Sequence, residues 1–80
     1  MAKVKKDVFA LVCVNEESQV VSVSLHKTQD EAHAQMSKEY SREIQNCDNI
    51  TNGFVNETYS LLEYDNAYTY EWTIKKTKEA

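Results

Sequence analysis

Two histidines and two acidic residues surround the start of a predicted helix, where they could in principle bind a metal. His26 ends a predicted strand, His33 lies in the first turns of the helix, and Asp30 and Glu31 stand between them. Imidazole and carboxylate groups are common metal ligands, but this spacing across a strand–helix junction is not a usual one, and no third strong ligand is evident. We therefore predict two solvent-facing histidines and no metal site.

Two further groups of residues could take part in catalysis. Cys13 and His33 are a nucleophile and a base by type, but nothing in the sequence near either residue would activate or orient it. Glu63, Asp65 and Glu71 lie near the last predicted hairpin, and an exposed hairpin offers no water-excluding pocket that would separate their pKa values. The sequence therefore predicts a protein that is not an enzyme, with no catalytic residue and no cofactor.

The composition argues against several classes of protein. The 80 residues include one glycine and no proline, which excludes glycine-rich phosphate loops and proline-rich recognition segments. No apolar run approaches the roughly 18 residues of a membrane span, and the run 8–14 is read as a strand. Cys13 and Cys47 are predicted to be reduced thiols. We expect a cytoplasmic protein with one domain, residues 1–80, and frayed basic tails at 1–6 and 77–80.

One stretch, residues 28–47, is predicted to be helical. Thr28 and Glu31 have the spacing of a capping box, in which each side chain accepts a hydrogen bond from the other residue's amide. An apolar stripe then recurs at helical spacing and consists of Ala32, Met36, Tyr40 and Ile44. Because the stripe is narrow and the rest of the helix is polar, the helix must pack on a sheet, and it can cover only one face of that sheet.

Strands are predicted on both sides of this helix. Their ranges are 7–14, 19–27, 55–64 and 67–76, with turns at Asn15–Ser18, Asn52-Gly53 and Asp65-Asn66. The predicted order is ββαββ, which gives an α+β fold: a two-layer sandwich of a four-stranded antiparallel sheet with one helix on one face. The first strand is expected inside the sheet, beside the second strand and one strand of the other hairpin.

The first strand is apolar on both sides, and this creates a surface without a cover. Val8, Ala10, Val12 and Val14 lie on one side of it, and Phe9, Leu11 and Cys13 lie on the other. We expect the second group to lie on the face that the helix leaves uncovered. A homodimer through this face is the simplest solution, and a foreign protein partner or a bare face are the alternatives. The predicted partner interface comprises Phe9, Leu11, Cys13, Tyr59, Tyr68 and Tyr70.

The charge distribution narrows the class of partner. The net charge is −4, and residues 7–74 contain three basic residues against twelve acidic ones. Such a body repels phosphate backbones, so we expect no direct nucleic-acid binding and no membrane binding. Acidic groups on a small rigid domain can instead compete with nucleic acid for a basic channel, and the alternative is that the acidic surface only keeps the protein soluble. The predicted acidic surface comprises Glu39, Glu43, Glu63, Asp65 and Glu71.

The ββαββ pattern, with TQDEA opening the helix and YTYEWTI near the end, resembles small proteins of bacterial genomes and mobile elements. In size, acidity and lack of catalytic motifs the chain is also similar to phage-encoded inhibitors of host defence, anti-CRISPR proteins among them. This resemblance implies a non-enzymatic inhibitor that binds a host nucleic-acid-binding or defence complex. The alternative function is a small-molecule-binding or sensing domain, with a pocket between helix and sheet or at a dimer junction.

Overall fold

The computed structural model describes residues 7–78 and shows one helix on one face of a five-stranded antiparallel sheet. The elements are β1 (Asp7–Asn15), β2 (Val20–His26), α1 (Gln29–Asn46), β3 (Ile50–Val55), β4 (Tyr59–Tyr64) and β5 (Tyr68–Lys78). Their order across the sheet is β2-β1-β5-β4-β3. The α+β class is therefore confirmed, and so is the inner position of the first strand.

The predicted number of four strands is wrong. The stretch 55–64, predicted as one strand, contains a turn after Val55, closed by a hydrogen bond of 2.7 Å from the Asn56 amide to the Tyr59 carbonyl. The residues before this turn form β3, which pairs with β4. The predicted turn at Asn52-Gly53 is instead the middle of β3, with Gly53 directly opposite Leu62. The element order is thus ββαβββ.

The helix ends are close to the predicted ones. Thr28 is the N-cap, and its Oγ1 accepts a hydrogen bond of 3.1 Å from the Glu31 amide. The reciprocal half of the predicted capping box is displaced by one residue, because the Glu31 carboxylate accepts from the Lys27 amide at 3.2 Å. Both bonds satisfy amides at or before the first helical turn, where the helix has no partners of its own for them.

The two predicted hairpin turns beside β1 and β5 are confirmed. Asn15 Oδ1 accepts from the amides of Glu17 and Gln19 at 2.9 and 3.0 Å, which fixes the β1–β2 turn. Asp65 and Asn66 have φ values of 53° and 57°, in the left-handed region that Asn and Asp tolerate in turns, and the Ala67 amide donates to the Tyr64 carbonyl at 3.3 Å.

β5 is longer than predicted and includes Lys78, so the predicted tail at 77–80 is wrong for its first two residues. Residues 1–6 and 79–80 lie outside the described residues. Because β1 and β5 are neighbours, Lys76 and Lys78 both reach Asp7, with Lys76 Nζ 3.1 Å from its carboxylate. Hydrogen bonds from Lys78 and then Lys76 lower the pKa of this carboxyl below its usual value.

The core lies between α1 and the centre of the sheet. It consists of Leu11, Cys13, Ala32, Met36, Leu62, Trp72 and Ile74. Leu11 and Cys13 are only 1% and 3% exposed, and Phe9 is half-buried against the same cluster. The prediction that these three residues lie on the uncovered face is therefore wrong, because they face the helix.

The register between β1 and β5 explains this reversal. Leu11 lies directly opposite Ile74, and Cys13 lies directly opposite Trp72, and opposed residues project to the same face. One side of β5 carries Trp72 and Ile74 and is the only side of that strand with the bulk for a core. The side of β1 that is aligned with it is therefore the side that α1 covers.

Candidate functional site

The sheet side that faces away from α1 is apolar over two strands, and we call it the open face. Its residues are Val8, Ala10, Val12 and Val14 of β1, Val20, Val23 and Leu25 of β2, Glu71, Thr73, Lys75 and Thr77 of β5, Tyr59, Leu61 and Glu63 of β4, and Asn52 and Phe54 of β3. Val20, Val23 and Leu25 are 62%, 58% and 63% exposed. Within residues 7–78 no element covers this face. Among the described residues the sheet therefore lacks a cover on one face, as expected, but this face is on the opposite side of β1 from the predicted one.

The open face has a regular pattern of rows across the sheet. Val23, Val12, Thr73 and Tyr59 form one row, since each is directly opposite the next. On β5, Lys75 lies two residues beyond Thr73 in one direction, and Glu71 lies two residues beyond it in the other. Aliphatic residues accompany both charges, with Ala10 and Leu25 in the Lys75 row and Val14 and Val20 in the Glu71 row.

β2 is an edge strand without the usual protection against further pairing. Its seven residues, VVSVSLH, contain no lysine, arginine, acidic residue or proline. Among the described residues its outer side pairs with no strand. Edge strands in monomeric proteins commonly carry such charges or prolines, whereas β2 presents exposed valines beside an unprotected edge.

The predicted interface tyrosines are divided between the two faces. Tyr59 is half-buried on the open face, with its ring 5.7 Å from that of Phe54. Tyr70 lies on the helix side, and its ring is 5.9 Å from that of Trp72. Tyr68 is 46% exposed and stacks on Tyr64 at 5.4 Å. The structure therefore does not bring the predicted interface set together on one surface.

The predicted acidic surface is also divided. Glu63 and Glu71 are on the open face. Asp65 is in the β4–β5 turn, where its carboxylate accepts a hydrogen bond of 2.9 Å from Asn49. Glu39 and Glu43 lie on α1, and both line a cleft between the helix and the sheet.

This cleft has a volume of about 170 Å³ and lies on the helix side. Its lining comprises Cys13, Val21, Ser22, Glu39, Arg42, Glu43, Tyr70 and Trp72. The sequence predicted a pocket between helix and sheet only as part of the alternative function, and it predicted none of these contacts.

Glu39 is the most constrained charged group in the cleft. Its Oε1 accepts from Trp72 Nε1 at 3.2 Å and from Ser22 Oγ at 3.4 Å, and its Oε2 accepts from Gln35 Nε2 at 2.8 Å. Burial, then the charges of Glu39 and Glu43, raise the pKa of the Cys13 thiol to about 12. The thiol is therefore protonated at neutral pH and is a poor nucleophile.

The two histidines are separate from each other and from the cleft. His26 Nε2 is 2.8 Å from Ser24 Oγ, and His33 Nδ1 is 3.2 Å from the Glu57 carbonyl. No group of three or more potential metal ligands occurs within residues 7–78. In the same range, no helix has both the length and the apolar character to cross a membrane.

The fold and these two surfaces define a small two-layer α+β protein with an uncovered apolar sheet face and a narrow acidic cleft on its other side. No family model, curated protein or solved structure matches the chain.

Proposed function

We propose that this chain is a non-enzymatic interaction protein and that its open face binds a second copy of itself. The observation that carries the proposal is the arrangement of rows around Thr73. A two-fold axis in the interface, perpendicular to the strands and passing through the row of Val23, Val12 and Thr73, reverses the direction of each strand. It thereby places Lys75 of each copy over Glu71 of the other.

The same axis pairs the apolar groups of the two copies. Leu25 of one copy meets Val20 of the other, and Ala10 meets Val14, since these residues lie in the rows that the rotation exchanges. The twist of each sheet rotates the stacked layers by about 30°, which keeps these groups in contact near the axis. The pattern is thus self-complementary in both hydrophobicity and charge.

The size of the face is suitable for a weak dimer. Five strands spaced by about 4.8 Å make a sheet roughly 20 Å wide, and a strand of seven residues at about 3.3 Å each is roughly 23 Å long. The product is roughly 460 Å² of projected area per copy, or about 900 Å² for two copies, to which the relief of the side chains adds. Weak specific interfaces bury less than ~1,200 Å² in total, so the face is large enough for a weak dimer.

Exchange of the two charges tests the proposal. Lys75→Glu and Glu71→Lys should each weaken the dimer by about tenfold or more, because each places like charges opposite one another. The double variant should recover most of the loss, because it restores both pairs in the reverse sense. Sedimentation equilibrium at micromolar to tens of micromolar protein measures the dimer constant, with Lys38→Glu on the exposed side of α1 as the control for net charge.

A double variant no stronger than either single variant would contradict the two-fold arrangement. A wild-type chain that stays monomeric throughout that concentration range would contradict the proposed dimer itself.

The narrower function, an inhibitor of a host nucleic-acid-binding or defence complex in the cytoplasm, stays a prediction from the sequence. Its support is the net charge of −4, and the separation of the acidic residues on different faces argues against a single phosphate-mimicking surface. Binding to a basic partner would weaken strongly with added salt, because screening acts on exposed charges. An affinity independent of salt would argue against charge mimicry.

A further inference from the structure

We propose that the cleft between α1 and the sheet binds a guanidinium group, either of a small free molecule or of an arginine side chain. This inference is independent of the proposed dimer, because the cleft is on the side of the sheet opposite the open face. It gives the alternative small-molecule function a site and a chemical class of ligand.

The volume of the cleft limits the part of a ligand that it can bind to a small chemical group. A volume of about 170 Å³ corresponds to roughly five or six water molecules at ~30 Å³ each. Sites for larger ligands begin near ~300 Å³. The cleft can therefore enclose a planar head group of a few atoms, with the remainder of the ligand in solvent.

The hydrogen bonding of Glu39 favours a cationic donor. A carboxylate has about four acceptor positions, and Trp72, Ser22 and Gln35 occupy three of them. These bonds hold the carboxylate in place and leave acceptor capacity on Oε2. Glu43 adds a second carboxylate to the lining, so a group with several N–H donors can reach both acids.

The remaining walls suit a planar cation. Tyr70 supplies a half-buried aromatic ring, and such rings attract guanidinium more than ammonium because guanidinium is planar and weakly hydrated. Trp72 is 1% exposed, so it acts on the cleft through its hydrogen bond to Glu39 and not by stacking on the ligand. Burial is the main cause of the raised pKa of the Cys13 thiol, and the negative charges of Glu39 and Glu43 raise this pKa further.

Arg42 shows that a guanidinium can approach this lining. Its Nε is 3.7 Å from the Glu43 carboxylate, and its side chain is 68% exposed. An exposed pair at this distance is weak, so an external guanidinium can displace it. Arg42 should therefore compete with the ligand rather than assist it.

Titration with methylguanidinium tests the inference. Trp72 is the only tryptophan, so its indole N–H gives a single NMR signal that reports on the hydrogen bond to Glu39. We expect saturable shifts of this signal at millimolar concentration, and no such shifts with methylurea, which has a similar shape and no charge. N-acetyl-arginine methylamide distinguishes the sources, since binding tighter than that of methylguanidinium would indicate an arginine side chain of a peptide.

Variants establish where the ligand binds. Glu39→Gln and Glu43→Gln should each reduce the affinity by about tenfold, because each removes a charge-assisted hydrogen bond. Arg42→Gln should increase it several-fold, and Glu17→Gln in the β1–β2 turn is the control that should change it little.

Equal shifts with methylurea would overturn the inference. An affinity for methylguanidinium that is unchanged by both Glu43→Gln and Arg42→Gln would also overturn it. Glu43 is half-buried and Arg42 is exposed, so these two variants can be tested even if Glu39→Gln does not fold.

Discussion

Leu11→Ala is expected to lower the free energy of unfolding by about 3 kcal/mol, whereas Leu25→Ala should lower that of the monomer by less than about 0.5 kcal/mol. The two substitutions remove the same atoms from neighbouring strands. Leu11 is 1% exposed beneath α1, so its truncation leaves a cavity, and Leu25 is 63% exposed on the open face. The difference between the two variants therefore measures which side of the sheet the helix covers.

Urea denaturation at submicromolar protein is the suitable measurement, because dilution removes any contribution of dimer formation to the stability of Leu25. Phe9→Ala should give an intermediate value, since Phe9 is only half-buried. Equal losses for Leu11→Ala and Leu25→Ala would contradict the assignment of the two faces.

Gly53→Ala is expected to cost about 1–3 kcal/mol, although alanine normally suits a strand at least as well as glycine. A Cβ at this position would overlap the hydroxyl of Tyr40, which projects from α1 onto β3. Burial raises the pKa of this hydroxyl, as expected for a group enclosed between helix and sheet. The added methyl must therefore displace either the tyrosine or the strand.

A double-mutant cycle with Tyr40→Phe isolates this contact. The phenylalanine keeps the ring, which lies edge-on to Trp72 at 5.8 Å, and removes the atom that a Cβ would overlap. The next ring atom would be 3.4 Å from the Cβ, an ordinary contact. Gly53→Ala should then cost at least about 1 kcal/mol less in the Tyr40→Phe background. Additive effects in thermal or urea unfolding would exclude the clash as the cause.

The helix could be predicted from the sequence because its signals are local. Thr28 and Glu31 mark its start, and the stripe Ala32, Met36 and Tyr40 repeats at helical spacing within a few residues. The Asp65-Asn66 turn was predictable for the same reason, since both residues tolerate a positive φ.

β3 could not be recognised in this way because its central residue is a glycine with a tertiary role. Asn52-Gly53 has the composition of a tight turn, but Gly53 lies in the strand beneath Tyr40, where a Cβ would overlap the tyrosine hydroxyl. The irregular alternation of residues 55–64 was the available signal. It reflects the turn after Val55, beyond which the strand direction reverses.

The sequence could not predict which face of the sheet the helix covers, because this depends on the register between distant strands. β1 is apolar on both sides, and only its pairing with Trp72 and Ile74 decides which side is buried. The positions of the open face and of the cleft both depend on which side of β1 is buried. Val23 and Leu25 are exposed because they lie on the side of the sheet opposite Leu11 and Cys13, and the contact of Glu39 with Trp72 joins residues 33 positions apart.

The most direct test of the central claim is a set of intermolecular NOEs between methyl groups in a sample that mixes isotopically labelled and unlabelled chains. The two-fold arrangement predicts contacts from Leu25 of one copy to Val20 of the other, and from Val12 to its own counterpart. Intermolecular contacts confined to the helix side, or their absence at concentrations where the protein is dimeric, would contradict the claim that the open face binds a second copy.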